Sequence, residues 1–187
     1  EAHNCIVINP DENQDQIWAS EAPIIRYETD DFGGITLVNT SELYAKNAAA
    51  SRRGFFFTDN RQSLVVRDEI DLKKESDIYW FMMTYSDTVM TKEDDRTVIL
   101  TQNGKKLKLN FVTDAETAEI SYGAAEPLAE SYHNPEDAAV DANRLAIKLH
   151  GSGSVSISEL SADCTLNIQS ETTASPVKIN MDNTEVS

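Results

Sequence analysis

Several kinds of residue are scarce in this chain of 187 residues. Seven glycines and five prolines are too few for a collagen-like or low-complexity chain. No stretch approaches the roughly 18 to 20 uninterrupted apolar residues of a membrane helix, so no membrane-spanning segment is expected. What is present, 40% apolar and 26% charged residues, is sufficient for one folded domain with a continuous core.

Basic residues are also scarce. The chain has 16 Lys and Arg against 32 Asp and Glu, a formal net charge of -16. This charge repels phosphates and sulfates over much of the surface, which excludes nucleic acid as an expected partner. It also argues against a broad basic platform for heparin-like polyanions. An acidic sugar would therefore need a local cluster of basic groups or a surface outside this chain.

The motifs of catalysis and metal binding are missing. Cys5 and Cys164 lie far apart and form no Cys-x-x-Cys motif, so neither a zinc ribbon nor a redox site is indicated. Two buried thiols are favoured over a disulfide between them, which stays possible. There is no G-x-S-x-G, P-loop or H-E-x-x-H motif. Adjacent acidic pairs such as Asp30-Asp31 would point to opposite faces of a strand or lie in turns. No catalytic residue is predicted in this chain.

Period-2 alternation dominates the chain and predicts an all-β, mostly antiparallel β-sandwich of about 12 to 14 strands in two sheets. One short helix is predicted from Ser41 to Ala49, with Ser41 as its N-cap. The segment 122–142 lacks periodicity and is interpreted as a long loop. The domain is assigned to 1–169, and 170–187 is its terminal strand and tail. The predicted strands are 4–8, 24–28, 35–39, 53–58, 63–71, 78–85, 96–101, 106–112, 117–121, 143–149 and 155–160, with further strands towards the end.

Two hairpins can be predicted with their register. Asn103-Gly104 is the preferred sequence of a two-residue type I′ turn, and it pairs Leu100 with Leu107. A second turn at 59–62 places Phe57 opposite Leu64, and Arg53 opposite Asp68. Arg53 and Asp68 are then expected to form a cross-strand ion pair that stabilises the sheet, although Arg53 has the alternative of facing an acidic sugar.

Three segments together resemble heparinase II/III-like polysaccharide lyases. The segment 3–16 starts His-Asn-Cys and resembles the family's pattern of His-Asn-Thr, strand, turn and Gln. Segments 52–57 and 64–70 are similar to a hairpin of an arginine-led strand and a strand ending Val-Val-x-Asp. Segment 100–107 contains a similar Gln-Asn-Gly-Lys turn. The chain departs from the family at Cys5, where Thr is usual, and at Met83, where a histidine often lies.

The resemblance implies that the chain is the C-terminal, non-catalytic sandwich of a longer, extracytoplasmic bacterial enzyme, periplasmic or extracellular. An upstream α/α-toroid, absent here, would contribute the groups that cleave uronic-acid polysaccharides by β-elimination, and the fragment alone is not expected to be active. That toroid and, through the parent, an acidic polysaccharide are the expected partners. The resemblance matches His3 to a zinc ligand whose companions would lie upstream. His3 is thus a metal ligand in the parent only, or a packing residue at the domain junction. No cofactor is expected in the fragment.

Two alternatives stay open: an autonomous carbohydrate-binding domain and a structural surface domain. The first would need exposed aromatic side chains. Trp18, Trp80, Tyr27 and Tyr85 are the candidates for sugar stacking, while aromatics in alternating strands more often belong to the core. Burial of Trp18 and Trp80 would remove the best support for sugar binding.

Overall fold

A computed structural model describes residues 3–13, 15–58, 61–131 and 141–163. This part of the chain contains twelve strands and no helix, so the predicted all-β class is confirmed. Cys164 and the tail 170–187 lie outside the described residues, as does His133. The strands are β1 (Ile6–Ile8), β2 (Ile24–Thr29), β3 (Gly34–Asn39), β4 (Ala48–Thr58), β5 (Ser63–Leu72), β6 (Ser76–Tyr85), β7 (Val89–Lys92), β8 (Thr97–Gln102), β9 (Lys105–Thr113), β10 (Thr117–Ala124), β11 (Ala142–Gly151) and β12 (Ser154–Asp163).

The strands form two antiparallel sheets. The small sheet has the order β1-β6-β11-β10, and the large sheet has the order β2-β3-β4-β5-β12-β9-β8-β7. In the described part of the chain, no helix is long and apolar enough to cross a membrane. The two antiparallel sheets confirm the predicted two-sheet sandwich.

Both predicted hairpin registers are confirmed. Leu100 pairs with Leu107 across the β8–β9 turn, where Asn103 and Gly104 have φ angles of 50° and 75°. Positive φ at both central positions is what a type I′ turn requires. In the β4–β5 hairpin, Phe57 lies opposite Leu64 and Arg53 lies opposite Asp68.

The predicted helix from Ser41 to Ala49 is wrong. Residues 41–47 form successive turns, and β4 already begins at Ala48. The Ser41 hydroxyl donates to the Ser51 carbonyl oxygen instead of capping a helix. The Asn47 side chain donates to the Ile8 carbonyl oxygen at 2.8 Å. These hydrogen bonds connect the segment to residues far away in the sequence. They outweigh the weak helix propensity of the segment. Strand β7 was not predicted.

The main core lies between the small sheet and part of the large one. Its buried members include Ile78 and Trp80 from β6, Leu109 and Phe111 from β9, and Ile157 from β12. None of its members comes from β2 or β3, and Ala48 is the only member from β4. The small sheet thus covers β12, β9, β8 and the end of β5 that carries Ile70 and Leu72. The inner face of β2, β3 and most of β4 lies beyond this core.

Candidate functional site

The first and second sequence motifs meet at a buried ion pair. Arg53 Nε donates to Asp68 Oδ1 at 2.7 Å and Arg53 Nη2 donates to Asp68 Oδ2 at 2.8 Å. Arg53 Nη1 donates to the Asn4 carbonyl oxygen. All three guanidinium nitrogens are therefore engaged, and Asp68 is only 3% exposed. The predicted ion pair is confirmed, and it anchors the N-terminal segment to the large sheet.

Titratable groups surround this ion pair, and each keeps its proton at neutral pH. Gln16 Nε2 donates to the Tyr44 hydroxyl at 2.8 Å, while burial raises the pKa of Tyr44 to about 12. Burial also raises the pKa of the Cys5 thiol. Burial disfavours the charge on Arg53, but the neighbouring Asp68 outweighs it, and the net effect raises the pKa of Arg53. This arrangement suits a structural junction better than acid–base chemistry.

His3 lies at the same end of the molecule. It is exposed, and its neighbour Asn4 accepts a hydrogen bond from the Met83 backbone N–H at 2.7 Å. The two positions singled out by the family resemblance, His3 and Met83, are therefore close. The described residues contain no group of three or more His, Cys, Asp or Glu side chains placed to hold a metal ion. One histidine does not make a zinc site, which needs three or four protein ligands.

A cavity of ≈ 460 Å³ lies beside His3. Its walls are β1 with its preceding residues on one side and the turn 15–20 on the other. Trp18 lines it and is 66% exposed, whereas Trp80 is 3% exposed and packs edge-on against Phe111 at 5.7 Å between ring centroids. Of the two tryptophans, only Trp18 is accessible to a ligand.

Among the described residues, the part of the inner face on β2, β3 and β4 that the small sheet does not cover carries aromatic side chains. The registers place Tyr27, Thr36, Phe55 and Val66 in one row across β2, β3, β4 and β5. Tyr27 and the neighbouring Phe57 are exposed, at 68% and 45%. The two exposed aromatic rings share this face with the half-buried Phe55 and Leu64. This surface, formed by Tyr27, Phe55, Phe57 and Leu64, is called the open face below.

The opposite face of the large sheet carries a second cavity, of ≈ 510 Å³. Glu69 accepts hydrogen bonds there from Arg52 at 2.7 Å and from Arg67 at 2.8 Å. Asp71 and Asp114 also line this cavity. The five formal charges sum to -1, so the two arginines do not create a strongly anion-attracting surface.

His150 occupies a polar cluster on the small sheet. Its Nδ1 lies 2.7 Å from Asp77 Oδ1 and its Nε2 lies 2.8 Å from Glu75 Oε1. Hydrogen bonds to Asp77 and then Glu75 raise the pKa of His150. The cluster lies on the surface, where β6 begins and β11 ends. His150 therefore serves there as a partner for two carboxylates.

A buried carboxyl group was missed by the sequence analysis. Glu159 on β12 is 1% exposed, and neither of its side-chain oxygens has a hydrogen-bond partner among the described residues. The nearby Ser161 hydroxyl donates to the Leu64 carbonyl oxygen instead, at 3.2 Å. Burial raises the pKa of Glu159 to about 8. The alternation Val155, Ile157, Glu159 carried the signal, because it places all three side chains on one face.

Comparisons with known proteins place the fold. No family model matches the chain, and no curated protein matches it. Among solved structures, a heparan sulfate lyase HepC from Pedobacter heparinus is 12% identical with a TM-score of 0.64, covering 87% of this chain and 24% of that one. A heparinase III is 15% identical with a TM-score of 0.59, covering 86% and 23%. A 4-alpha-glucanotransferase from Thermococcus litoralis is 11% identical with a TM-score of 0.50, covering 84% and 27%.

This chain spans about a quarter of the length of each of these proteins. At such low identity the likeness establishes the fold alone. It confirms the resemblance noted in the sequence at that level, because the chain has the fold of a β-sandwich portion of heparinase-type lyases.

Proposed function

We propose that this chain is the non-catalytic β-sandwich of a polysaccharide lyase that cleaves uronic-acid polysaccharide by β-elimination. The open face is the observation that carries this proposal. It is an apolar sheet surface that the small sheet leaves uncovered, next to the point where Asn4 is fixed to Arg53. In the proposed parent, the upstream toroid packs on this face and the sandwich forms one wall of the substrate cleft.

The chemistry of the junction supports a positioning role. β-Elimination needs a base that removes the C5 proton of a uronate, and such a base works best with a pKa near the working pH. Tyr44, with a pKa of about 12, and the protonated Cys5 thiol do not meet that requirement. Arg53 is engaged with Asp68 and Asn4. The toroid would supply the reacting groups.

The remaining parts of the proposal follow from the family resemblance. The parent enzyme is periplasmic or extracellular, and an acidic polysaccharide is its substrate. His3 joins a zinc site only if upstream residues provide the other ligands. The negative charge of the chain is consistent with contact to the polysaccharide through the toroid instead of through a basic sandwich surface.

Carbohydrate binding by the sandwich itself is the second candidate. The observation in its favour is Trp18, which is exposed at the rim of a cavity. Burial of Trp80 removes the other tryptophan from consideration.

The open face can be tested in the longer parent. Phe57→Glu places a charge in the proposed interface, and we expect it to lower uronate β-elimination and the temperature of cooperative unfolding. Tyr85→Glu is the matched control, since Tyr85 is another exposed aromatic residue, on β6 of the small sheet. Equal effects of the two substitutions, or none from Phe57→Glu, would remove the open face as the docking surface.

A further inference from the structure

Strand β2 forms one edge of the large sheet and exposes apolar side chains there. In the described part of the chain, β2 pairs with β3 alone. Ile24, Ile25 and Tyr27 are each more than half exposed. The strand at the opposite edge, β7, has four residues, of which Val89 is the one large exposed apolar side chain. A sheet edge of the β2 kind is a template for pairing with a strand of another chain.

The direction of the backbone groups along this edge follows from the turn that ends β2. The Asp30 N–H donates to the Gly33 carbonyl oxygen, on the β3 side, at 3.2 Å. Backbone groups alternate in direction along a strand, so Glu28 also faces β3, whereas Tyr27 and Thr29 direct their N–H and C=O groups outward. The outward groups are the ones that a further strand would bind.

Arg26 and Glu28 give this edge a self-complementary charge pattern. They lie two positions apart on the same face, and Arg26 Nε donates to Glu28 Oε1 at 2.7 Å. In an antiparallel pair of two β2 strands centred on Tyr27, each Arg26–Glu28 pair faces the same pair running in the opposite direction. Arg26 then lies opposite the partner's Glu28, and Glu28 lies opposite the partner's Arg26. The four charges therefore alternate in sign.

We propose that β2 is a dimerisation edge, to which a second copy of this chain adds its own β2 in antiparallel orientation, with the two-fold axis at Tyr27. The outward N–H and C=O groups of Tyr27 bond to those of the partner's Tyr27, and the two large sheets become one continuous sheet. The proposal goes beyond the proposed function and does not depend on it, because the pairing uses the backbone edge of the sheet and not the open face.

The charges select this register over its two neighbours. Centring the pair on Arg26 would place two arginines opposite each other, and centring it on Glu28 would do the same with two glutamates. Like charges directly opposite destabilise a sheet.

Two features limit the strength of the dimer. The net charge of -16 repels a second copy, although salt at about 0.15 M screens this repulsion beyond about 8 Å. The paired segment is also short, because a β-bulge lies between Ile24 and Arg26. We therefore expect a weak dimer, with a Kd on the order of 100 µM.

The test follows the 187-residue chain by sedimentation velocity from about 10 µM to about 1 mM, in about 0.15 M salt. We expect the unmodified chain to dimerise as its concentration rises. Arg26→Glu and Glu28→Arg each leave like charges facing one another, and each should weaken dimerisation roughly tenfold or more. An equimolar mixture of these two variants should associate again, because every arginine then faces a glutamate. The controls Arg96→Glu and Glu116→Arg make the same charge changes at exposed positions outside β2, and they should dimerise like the unmodified chain.

Amide hydrogen exchange of the unmodified chain is a second measurement that needs no variant. Exchange of the outward Tyr27 N–H should slow as protein concentration rises, while exchange of the Glu28 N–H, which faces β3, should not change. Four results would each overturn the proposal: a monomer at every concentration, dimerisation unaffected by Arg26→Glu, no association in the mixture, or protection at another surface instead of at Tyr27. Each leaves the proposed accessory role intact, because that role is judged from the activity of the longer parent.

Discussion

Replacing the titratable carboxyl group of Glu159 with an amide should change how the stability of the protein depends on pH. Its carboxyl is buried, opposite Phe111 and Val66, and its pKa is raised from 4.5 to about 8. A group whose folded pKa lies above its unfolded pKa contributes stability that is fully present below the unfolded value. That stability is lost as pH rises through the folded value.

The magnitude follows from the two pKa values. The difference of about 3.5 units, at about 1.36 kcal/mol per unit, corresponds to about 5 kcal/mol of stability lost between pH 4.5 and pH values above 8. At pH 7 the loss is already about 3 kcal/mol. Because unfolding free energies of single domains are typically about 5 to 15 kcal/mol, this one carboxyl accounts for a large share.

The assay is chemical denaturation of the unmodified chain and of Glu159→Gln at several pH values from 4 to 9. We expect the free energy of unfolding of Glu159→Gln, relative to the unmodified chain, to rise by several kcal/mol across this range. Glu119→Gln, an exposed glutamate on β10, is the matched control and should follow the unmodified chain. Parallel curves for Glu159→Gln and the unmodified chain would refute the reasoning, because they would mean that Glu159 ionises normally in the folded protein.

Three further predictions concern other parts of the molecule. Arg53→Met leaves the buried Asp68 carboxylate without its ion-pair partner and should lower the free energy of unfolding by roughly 3 to 5 kcal/mol in denaturation experiments. The control Arg26→Met breaks an exposed ion pair and should lower it by less than about 1 kcal/mol. Similar losses in the two variants would contradict the role given to burial. The pKa of His150, measured by NMR titration, should lie above the ordinary value of 6.5. Its contribution to stability is therefore present below pH 6.5 and is lost as pH rises through the raised pKa. A titration midpoint at or below 6.5 would contradict its hydrogen bonds to Asp77 and Glu75. Gly104→Ala should lower the free energy of unfolding by roughly 1 to 2 kcal/mol because φ is +75° at this position. The control Gly123→Ala adds a Cβ with nothing within 4 Å and should be neutral or slightly stabilising. A larger loss of stability from Gly123→Ala than from Gly104→Ala would contradict the type I′ turn.

Local patterns predicted the parts of the fold that depend on local chemistry. The Asn103-Gly104 turn fixed the register of β8 and β9, since few residues accept positive φ at both positions. Alternation fixed which residues share a face, and Arg53 opposite Asp68 followed from the hairpin alone. The helix prediction at Ser41 was wrong because hydrogen bonds to distant parts of the chain, such as the one from Asn47 to the Ile8 carbonyl oxygen, determine the conformation of this segment.

The candidate site depended on contacts that sequence does not reveal. The contact between Arg53 and Asn4 spans 49 positions, and the position of Gln16 against Tyr44 spans 28. Trp18 is 66% exposed in a turn in which Ala19 has a φ of 61°, and no alternation pattern predicts such a turn. The burial of Glu159 was predictable, because Glu159 lies two positions after Ile157 along β12 and therefore shares its inner face.

The most direct test of the accessory role is an assay of β-elimination, followed as new ultraviolet absorbance from unsaturated uronate on a panel of acidic polysaccharides. The isolated chain and the proposed longer parent are compared under the same conditions. The account predicts activity in the parent and none in the isolated chain. Activity in the isolated chain would contradict the central claim, and silence in both would favour a binding or structural domain.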